Sequence, residues 1–199
     1  MKWKIPVKQL TAISMLVATA AAVRVGMNWV AFAIAIPIYG VIVKIGLSET
    51  LAFTSGFVFG PIQGFITGAL IIVVSDLLTW PGPWTPIIAS IIGLLGICGG
   101  MIRRLRENPS VMFFGVTAVL LTLMSESLQN LYTTWFYLVS GMPLLVALGT
   151  AFSGGIISMV TAIINNTVLF TTIVPRIVRL LRRMVMGYEE SNIYGFYLG

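Results

Sequence analysis

Long apolar runs, separated by short polar or basic segments, dominate the chain. The runs are continuous and do not alternate with polar residues, which favours membrane-spanning helices over the strands of a barrel. Because a spanning helix needs about 20 apolar residues, we expect an all-α membrane protein with six transmembrane helices in one bundle. The expected spans are 9–25, 28–45, 51–80, 86–101, 111–136 and 151–174.

The third expected span contains glycines at every fourth position from Gly56 to Gly68, with Pro61 beside the second of them. In a membrane, small residues one turn apart let a neighbouring helix backbone approach closely. The run over 51–80 is too long for one straight crossing, and proline disrupts a helix interior. We therefore expect a break at Gly60–Pro61 that acts as a hinge, with the glycines packing helices rather than contacting a ligand.

The positions of the basic residues predict the topology. Clusters of Lys and Arg lie before the first expected span, between the fourth and fifth, and after the sixth. Cytoplasmic loops attract such residues, and an even number of spans places all three clusters on one side. We therefore expect a transmembrane domain over 1–186, a cytoplasmic tail over 187–199 and both termini inside. The expected inner segments include 44–49, and the outer ones include 80–86 and 138–149.

Composition supports a membrane protein and narrows its chemistry. Hydrophobic residues make up 58% of the chain and charged residues 9%, whereas soluble domains carry about 25% charged residues. The chain has no histidine, no P-loop motif and one cysteine, so we expect no ATPase site, metal or cofactor. The net charge of +6 is explained by topology signals and does not indicate nucleic-acid binding.

Polar residues inside the apolar runs are the candidate functional residues, because charges within a membrane are costly and are usually paired or functional. Glu126 is the clearest case. Gln129, Asn130 and Thr133 follow it at helical spacing and share its face. This polar stripe is either a hydrogen-bond network between helices or the wall of a substrate cavity.

Other polar and aromatic residues lie towards the outer ends of the expected spans. Arg24 and Asp76 either form an ion pair or border the same cavity as the stripe. An interfacial belt explains most of the outer tryptophans, although one or two of them are candidates for stacking on a flat ligand. The further candidates for substrate binding are Asn28, Trp29, Trp84 and Asn166.

A chain of this length with six spans resembles the substrate-binding S components of energy-coupling factor (ECF) vitamin transporters. The likeness covers most of residues 8–183. The polar outer half of the fifth span contributes to it. The motifs that carry it are Ala18-x-x-x-Ala22, Gly60-Pro61-x-x-Gly64-x-x-x-Gly68 with Asp76 downstream, and Asn166.

The resemblance implies a high-affinity site, open to the outside, for a vitamin or related small molecule. It also implies docking through Ala18 and Ala22 on a transmembrane coupling subunit, with two cytoplasmic ATPases driving the cycle. Glu126, Gln129 and Asn130 would then contact polar edges of the cargo, and outer tryptophans would cover it. The resemblance does not identify the cargo, but a buried acid favours a cationic or NH-rich heterocycle.

Two other functions remain open from the residues alone. The first is an autonomous small-solute transporter or channel, which would move its solute without ATPases. The second is an intramembrane enzyme that uses Asp76 and Glu126 as an acid/base pair. The enzyme hypothesis requires the two carboxyl groups to lie close together across the third and fifth spans.

Overall fold

A computed structural model describes residues 6–34 and 46–186. Within these ranges the chain is entirely helical, as expected. Four of the helices, which begin at residues 7, 85, 111 and 144, are long and apolar enough to cross a membrane, and a shorter apolar helix begins at residue 61. The helices of the described ranges are α1 (Val7–Ile34), α2 (Leu47–Phe59), α3 (Pro61–Leu77), α4 (Thr85–Leu105), α5 (Val111–Val139), α6 (Leu144–Thr172) and α7 (Val174–Met186).

The first helix is longer than the sequence predicted. The expected boundary between the first two spans, at 25–28, lies inside α1, which continues to Ile34. That stretch contains Gly26 but no proline. A single glycine weakens a helix by about 1 kcal/mol without ending it, so the predicted boundary is wrong. The rest of the expected second span, 35–45, lies outside the described residues.

The third expected span forms two helices, α2 and α3, which fold back on each other at Gly60. The break is at the predicted position, and Gly60 has φ 113° and ψ 167°, a conformation essentially restricted to glycine. Pro61 opens α3, where its missing N–H leaves no bond unmade. Ser55 Oγ and Thr67 Oγ1 are 2.6 Å apart although 12 residues separate them; in a straight helix they would be about 18 Å apart. The predicted single crossing with a hinge is therefore wrong, because the chain reverses direction.

Glycines bring this helical hairpin against α4. A Cβ at Gly64 would overlap the backbone of Gly96, and a Cβ at Gly68 would lie 2.6 Å from the Ile92 carbonyl oxygen. Gly56 also faces Gly96. Helix packing is the use expected of these glycines. Their partners include glycines of α4, which spacing along the chain does not identify.

The bundle has two chemically different ends. We call the end with Trp29, Trp80 and Trp84 the tryptophan end, and the opposite end, with Arg103 and Arg182, the arginine end. At the arginine end, a guanidinium N–H of Arg103 donates to the Val58 carbonyl, and Arg182 Nη2 donates to the Glu107 carbonyl over 3.0 Å. These arginines therefore join helix ends that lie next to each other at this end of the bundle.

A cluster of phenylalanines fills the core near the arginine end. Phe53 and Phe57 of α2 meet Phe114 of α5 and Phe170 of α6, and the Phe53 and Phe170 ring centroids are 4.9 Å apart. All four side chains are fully buried. The Arg182 guanidinium of α7 lies 5.6 Å from the Phe57 ring centroid, so α7 covers this cluster.

Two segments differ from the expected loops. Residues 46–49 were expected in an inner loop, but Gly46 is buried and a Cβ there would overlap the Asn166 amide of α6. Residues 144–149, expected in an outer segment, belong to α6, which begins at Leu144. Gly141 provides the tight turn before it with φ 89°, which most residues avoid. The helical stretch beyond that turn has no glycine or proline until Gly149.

Candidate functional site

The polar stripe of α5 is buried within the bundle. Glu126 is 2% and Asn130 9% exposed, while Gln129 and Thr133 are half-buried. Glu126 lies 15 residues along α5 from Val111, which is about 22 Å and beyond the middle of the helix towards the tryptophan end. Because an ionisable residue within a membrane-spanning segment is rare and marks a functional site by default, this stripe is the strongest candidate for a binding surface.

The stripe faces α6. A Cβ at Gly155 of α6 would lie 2.5 to 2.9 Å from the side-chain amide of Asn130, so the missing side chain of Gly155 makes room for this amide. Gln129 Nε2 donates to the Ser125 carbonyl over 3.4 Å, and Thr133 Oγ1 donates to the Gln129 carbonyl over 3.0 Å. These bonds orient the polar side chains along their own helix.

Asn166 belongs to the same interface, nearer the arginine end. Its Nδ2 donates to Thr122 Oγ1 over 2.9 Å, and the side chain is 2% exposed. Thr122, Glu126 and Asn130 follow one another at intervals of four, so they share one side of α5. The structure therefore brings together five of the predicted site residues: Glu126, Gln129, Asn130, Thr133 and Asn166.

Asp76 belongs to a separate cluster at the tryptophan end. Its Oδ1 is 3.0 Å from Arg24 Nη2 of α1, and its Oδ2 accepts a hydrogen bond from Thr85 Oγ1 of α4 over 2.7 Å. Thr85 Oγ1 also accepts from the Gly82 amide over 3.2 Å. Both oxygens of this 2% exposed carboxylate are therefore engaged, and one side chain ties α1, α3 and the start of α4 together.

We expect Asp76→Asn to lower the free energy of unfolding by about 1–3 kcal/mol, because it leaves the Arg24 charge without its partner. The lower part of that range allows for Arg24, whose side chain is 29% exposed. Thermal unfolding of the purified protein measures the loss. Adding Arg24→Gln to Asp76→Asn is expected to cost little more; losses that simply add would mean that the pair does not stabilise the fold.

Aromatic residues surround this second cluster. Trp29, half exposed, and Trp80 have ring centroids 5.6 Å apart. A Cβ at Gly82 would lie 2.5 and 2.6 Å from two carbons of the Trp84 six-membered ring, so the Trp84 indole packs over the 78–84 turn. Asn28 is half-buried on α1. Four predicted site residues thus lie around the corner that α1, α3 and α4 form at the tryptophan end, apart from the α5–α6 stripe: Asn28, Trp29, Asp76 and Trp84.

The arrangement does not support an acid/base pair of Asp76 and Glu126. Asp76 is bonded to residues of α1 and α4, whereas the stripe that contains Glu126 packs against α6. Both carboxylate oxygens of Asp76 already have partners, which are Arg24 Nη2 and Thr85 Oγ1. Within the described ranges, no cluster of three or more potential metal ligands occurs either.

The two predicted docking residues, Ala18 and Ala22, are both exposed on α1. The opposite side of α1 is buried in the core through Ile13, Val17 and Ala20. Beside the exposed side, towards the arginine end, an apolar groove of about 580 Å³ lies between α1, Leu51 and α7. Met15 and Thr19 of α1 line this groove.

Sequence reasoning missed three residues that build these clusters: Thr122, Gly155 and Thr85. Thr122 carried a usable signal, because it precedes Glu126 by one turn and so extends the same stripe. Gly155 was not among the candidates, because spacing along the chain does not show which side chain a glycine faces. Thr85 gave no signal, because its role depends on how α4 packs beside Asp76.

A family model described as "ECF-type riboflavin transporter, S component" matches residues 4–175. No curated protein and no solved structure matches the chain. The matched residues contain every candidate site residue and end as α7 begins. An S component is a transporter subunit and not an enzyme. The chain therefore belongs to the family of ECF-type riboflavin transporter S components, multi-pass proteins of the cell membrane that bind a vitamin for uptake and associate with a coupling subunit and ATPases.

Proposed function

We propose that the vitamin bound by this chain is riboflavin or a close flavin analogue, and that the α5 stripe forms its polar contact surface. The description of the matching family supports the substrate. The observation that carries the site is the burial of Glu126 and Asn130 one turn apart on one face of α5. A few polar groups on a mostly apolar wall are what orient a small ligand in its pocket.

The chemistry of a flavin suits this surface. Its ring system carries an N–H donor between two carbonyl acceptors, and its side chain carries several hydroxyl groups. The Glu126 carboxylate accepts from N–H and O–H groups, whereas the Gln129 and Asn130 amides both donate and accept. The Thr133 hydroxyl donates its proton to the Gln129 carbonyl, so it offers the ligand an acceptor at the next turn. This set also agrees with the NH-rich heterocycle expected from a buried acid.

The corner of α1, α3 and α4 at the tryptophan end supports the site. Asp76 acts through Arg24 and Thr85, holding the ends of three helices in place, rather than by meeting the ligand directly. Asn28, Trp29 and Trp84 border the opening, and an exposed indole such as Trp29 offers a surface on which a flat ring stacks. Trp84 contributes less directly, because its ring already packs over Gly82.

For the topology we propose six crossings, α1 to α6, with both termini in the cytoplasm. The hairpin turn at Gly60 then lies on the inner side, next to Arg103, and the 78–84 turn lies outside. Lysine and arginine at the arginine end agree with this orientation. Residues 1–186 form the membrane domain, and residues 187–199 follow it as a cytoplasmic tail.

The coupling subunit binds the exposed side of α1 in this proposal, through Ala18 and Ala22. Small exposed side chains allow a partner helix to approach closely. The apolar groove beside Met15 and Thr19 extends this surface towards α7, so the contact continues to the inner end.

Thermal unfolding of the purified chain with a panel of vitamins tests the substrate. Riboflavin at 100 times its Kd is expected to stabilise the chain by about 2.7 kcal/mol, whereas thiamine, biotin and folate are expected to leave the midpoint unchanged. Mass spectrometry of small molecules that copurify with the chain provides an independent check. Stabilisation by another vitamin and not by a flavin would contradict the proposed substrate.

A further inference from the structure

The apolar groove of about 580 Å³ lies towards the arginine end, and none of the described residues that line it is a predicted substrate-binding residue. Helices α1 and α7 form its two walls, and Leu51 of α2 completes the lining. Met15 on one wall and Leu180 and Met184 on the other are more than half exposed. Because the bilayer interior holds no water to fill such a space, its occupant must come from another molecule or from another segment of the chain.

The length of the groove matches one leaflet of the bilayer. On α1 its lining reaches from the first turn, which contains Lys8, to Thr19. These two residues are 11 positions apart, or about 16 Å at 1.5 Å per residue. The hydrocarbon of one leaflet is half of about 30 Å, or about 15 Å, thick. An acyl chain that lies along α1 therefore spans the groove from one end to the other.

The charge of the groove favours an anionic headgroup. Among the described residues that line it, Lys8 is the only charged one, and it lies on the first turn of α1, at the arginine end. Its long side chain can keep its methylene groups against the apolar wall while the ammonium group reaches the membrane surface. Basic pockets between helices on the cytoplasmic side of membrane proteins bind anionic lipid headgroups.

A polypeptide segment fits this groove less well than a lipid does. Residues 187–199 follow α7 and contain two acidic residues that could pair with Lys8. An irregular segment in the groove would, however, place backbone N–H and C=O groups beside lipid chains, which is costly. An acyl chain brings no polar group into the apolar part of the groove.

We propose that an anionic phospholipid of the inner leaflet occupies the groove of the free chain, with one acyl chain between α1 and α7 and its phosphate at Lys8. The inference rests on the proposed topology, which makes the inner leaflet the source of the lipid. Because the groove continues the surface proposed for the coupling subunit, the lipid covers part of that surface until the coupling subunit docks.

Native mass spectrometry of the purified chain tests this site, with palmitoyl-oleoyl phosphatidylglycerol and phosphatidylcholine as the probes. The parent chain is expected to bind the first phosphatidylglycerol about fivefold more tightly than phosphatidylcholine. Lys8→Gln is expected to remove this preference and to leave the affinity for phosphatidylcholine unchanged. Met15→Trp places a larger side chain in the groove and is expected to weaken both lipids about tenfold, the equivalent of about two buried methylene groups.

Arg104→Gln and Met112→Trp are the matched controls, because both residues are exposed on α4 and α5 and neither lines the groove. Both are expected to bind lipid like the parent chain. Lipid binding that Met15→Trp leaves unchanged, equal affinity of the parent chain for the two lipids, or a dimer in place of the lipid-bound monomer would overturn the proposal. Tight lipid binding only after removal of residues 187–199 would also overturn it, since that segment would then be the occupant.

Riboflavin binding by the same proteins separates this inference from the proposed substrate. Neither the groove variants nor the controls change a residue of the α5 stripe, so all four are expected to bind riboflavin like the parent chain. Absence of riboflavin binding by the parent chain would overturn the proposed substrate and leave the lipid site intact.

Discussion

Gly96→Leu is expected to prevent most of the protein from folding. Gly96 lies where α4 meets both helices of the hairpin, and even a Cβ there would lie 2.8 Å from Gly64 Cα. A leucine must separate the helices along their whole contact, which costs on the order of 4 kcal/mol or more. The yield of monodisperse protein in size-exclusion chromatography, and its unfolding temperature, measure the loss.

Gly149→Leu is the matched control for this prediction. Gly149 is also a helical glycine, but nothing lies within 4 Å of a Cβ placed there. Its replacement is expected to leave the yield and the unfolding temperature unchanged or slightly raised, since leucine favours a helix more than glycine does. Normal folding of Gly96→Leu would contradict the close packing of α4 against the hairpin.

Glu126→Gln is expected to weaken riboflavin binding by about a hundredfold or more. The substitution keeps the shape of the side chain but removes the charge that makes its hydrogen bonds to ligand N–H and O–H groups strong. In a buried site, a donor on the ligand that meets the amide N–H of glutamine is left unpaired. Quenching of flavin fluorescence measures the dissociation constant.

Glu107→Gln removes the same charge from an exposed residue of the loop between α4 and α5. The Glu107 carbonyl that accepts from Arg182 is part of the backbone, so this control is expected to fold and bind like the parent chain. Unchanged riboflavin binding by Glu126→Gln in a folded protein would exclude the α5 stripe as the polar contact surface.

Hydropathy was enough to predict the helical class and several helix positions, because long apolar runs have one stable form in a membrane. It was also enough to predict a break at Gly60–Pro61. It did not reveal that the break reverses the chain, since a kink and a turn share the same residues. The direction depends on contacts between distant residues, such as Ser55 with Thr67 and Gly64 with Gly96.

The candidate site, too, was predictable from the sequence only in part. The stripe from Glu126 to Thr133 follows from helical spacing alone, and the structure adds Thr122 and Asn166 to it. The sequence left open whether Asp76 pairs with Arg24, because the pair joins residues 52 positions apart. Trp84 was a candidate for ligand stacking because of its position in the chain, yet its ring packs over Gly82, which spacing does not reveal.

Uptake of labelled riboflavin into proteoliposomes, which contain this chain with or without its coupling subunit and ATPases, tests the proposed function most directly. The chain alone is expected to bind riboflavin tightly without accumulating it, and the complete complex is expected to accumulate riboflavin only when ATP is supplied. Accumulation by the chain alone would identify it as an autonomous transporter. Failure of the complete complex to accumulate riboflavin, with ATP present and another vitamin taken up instead, would contradict the flavin substrate.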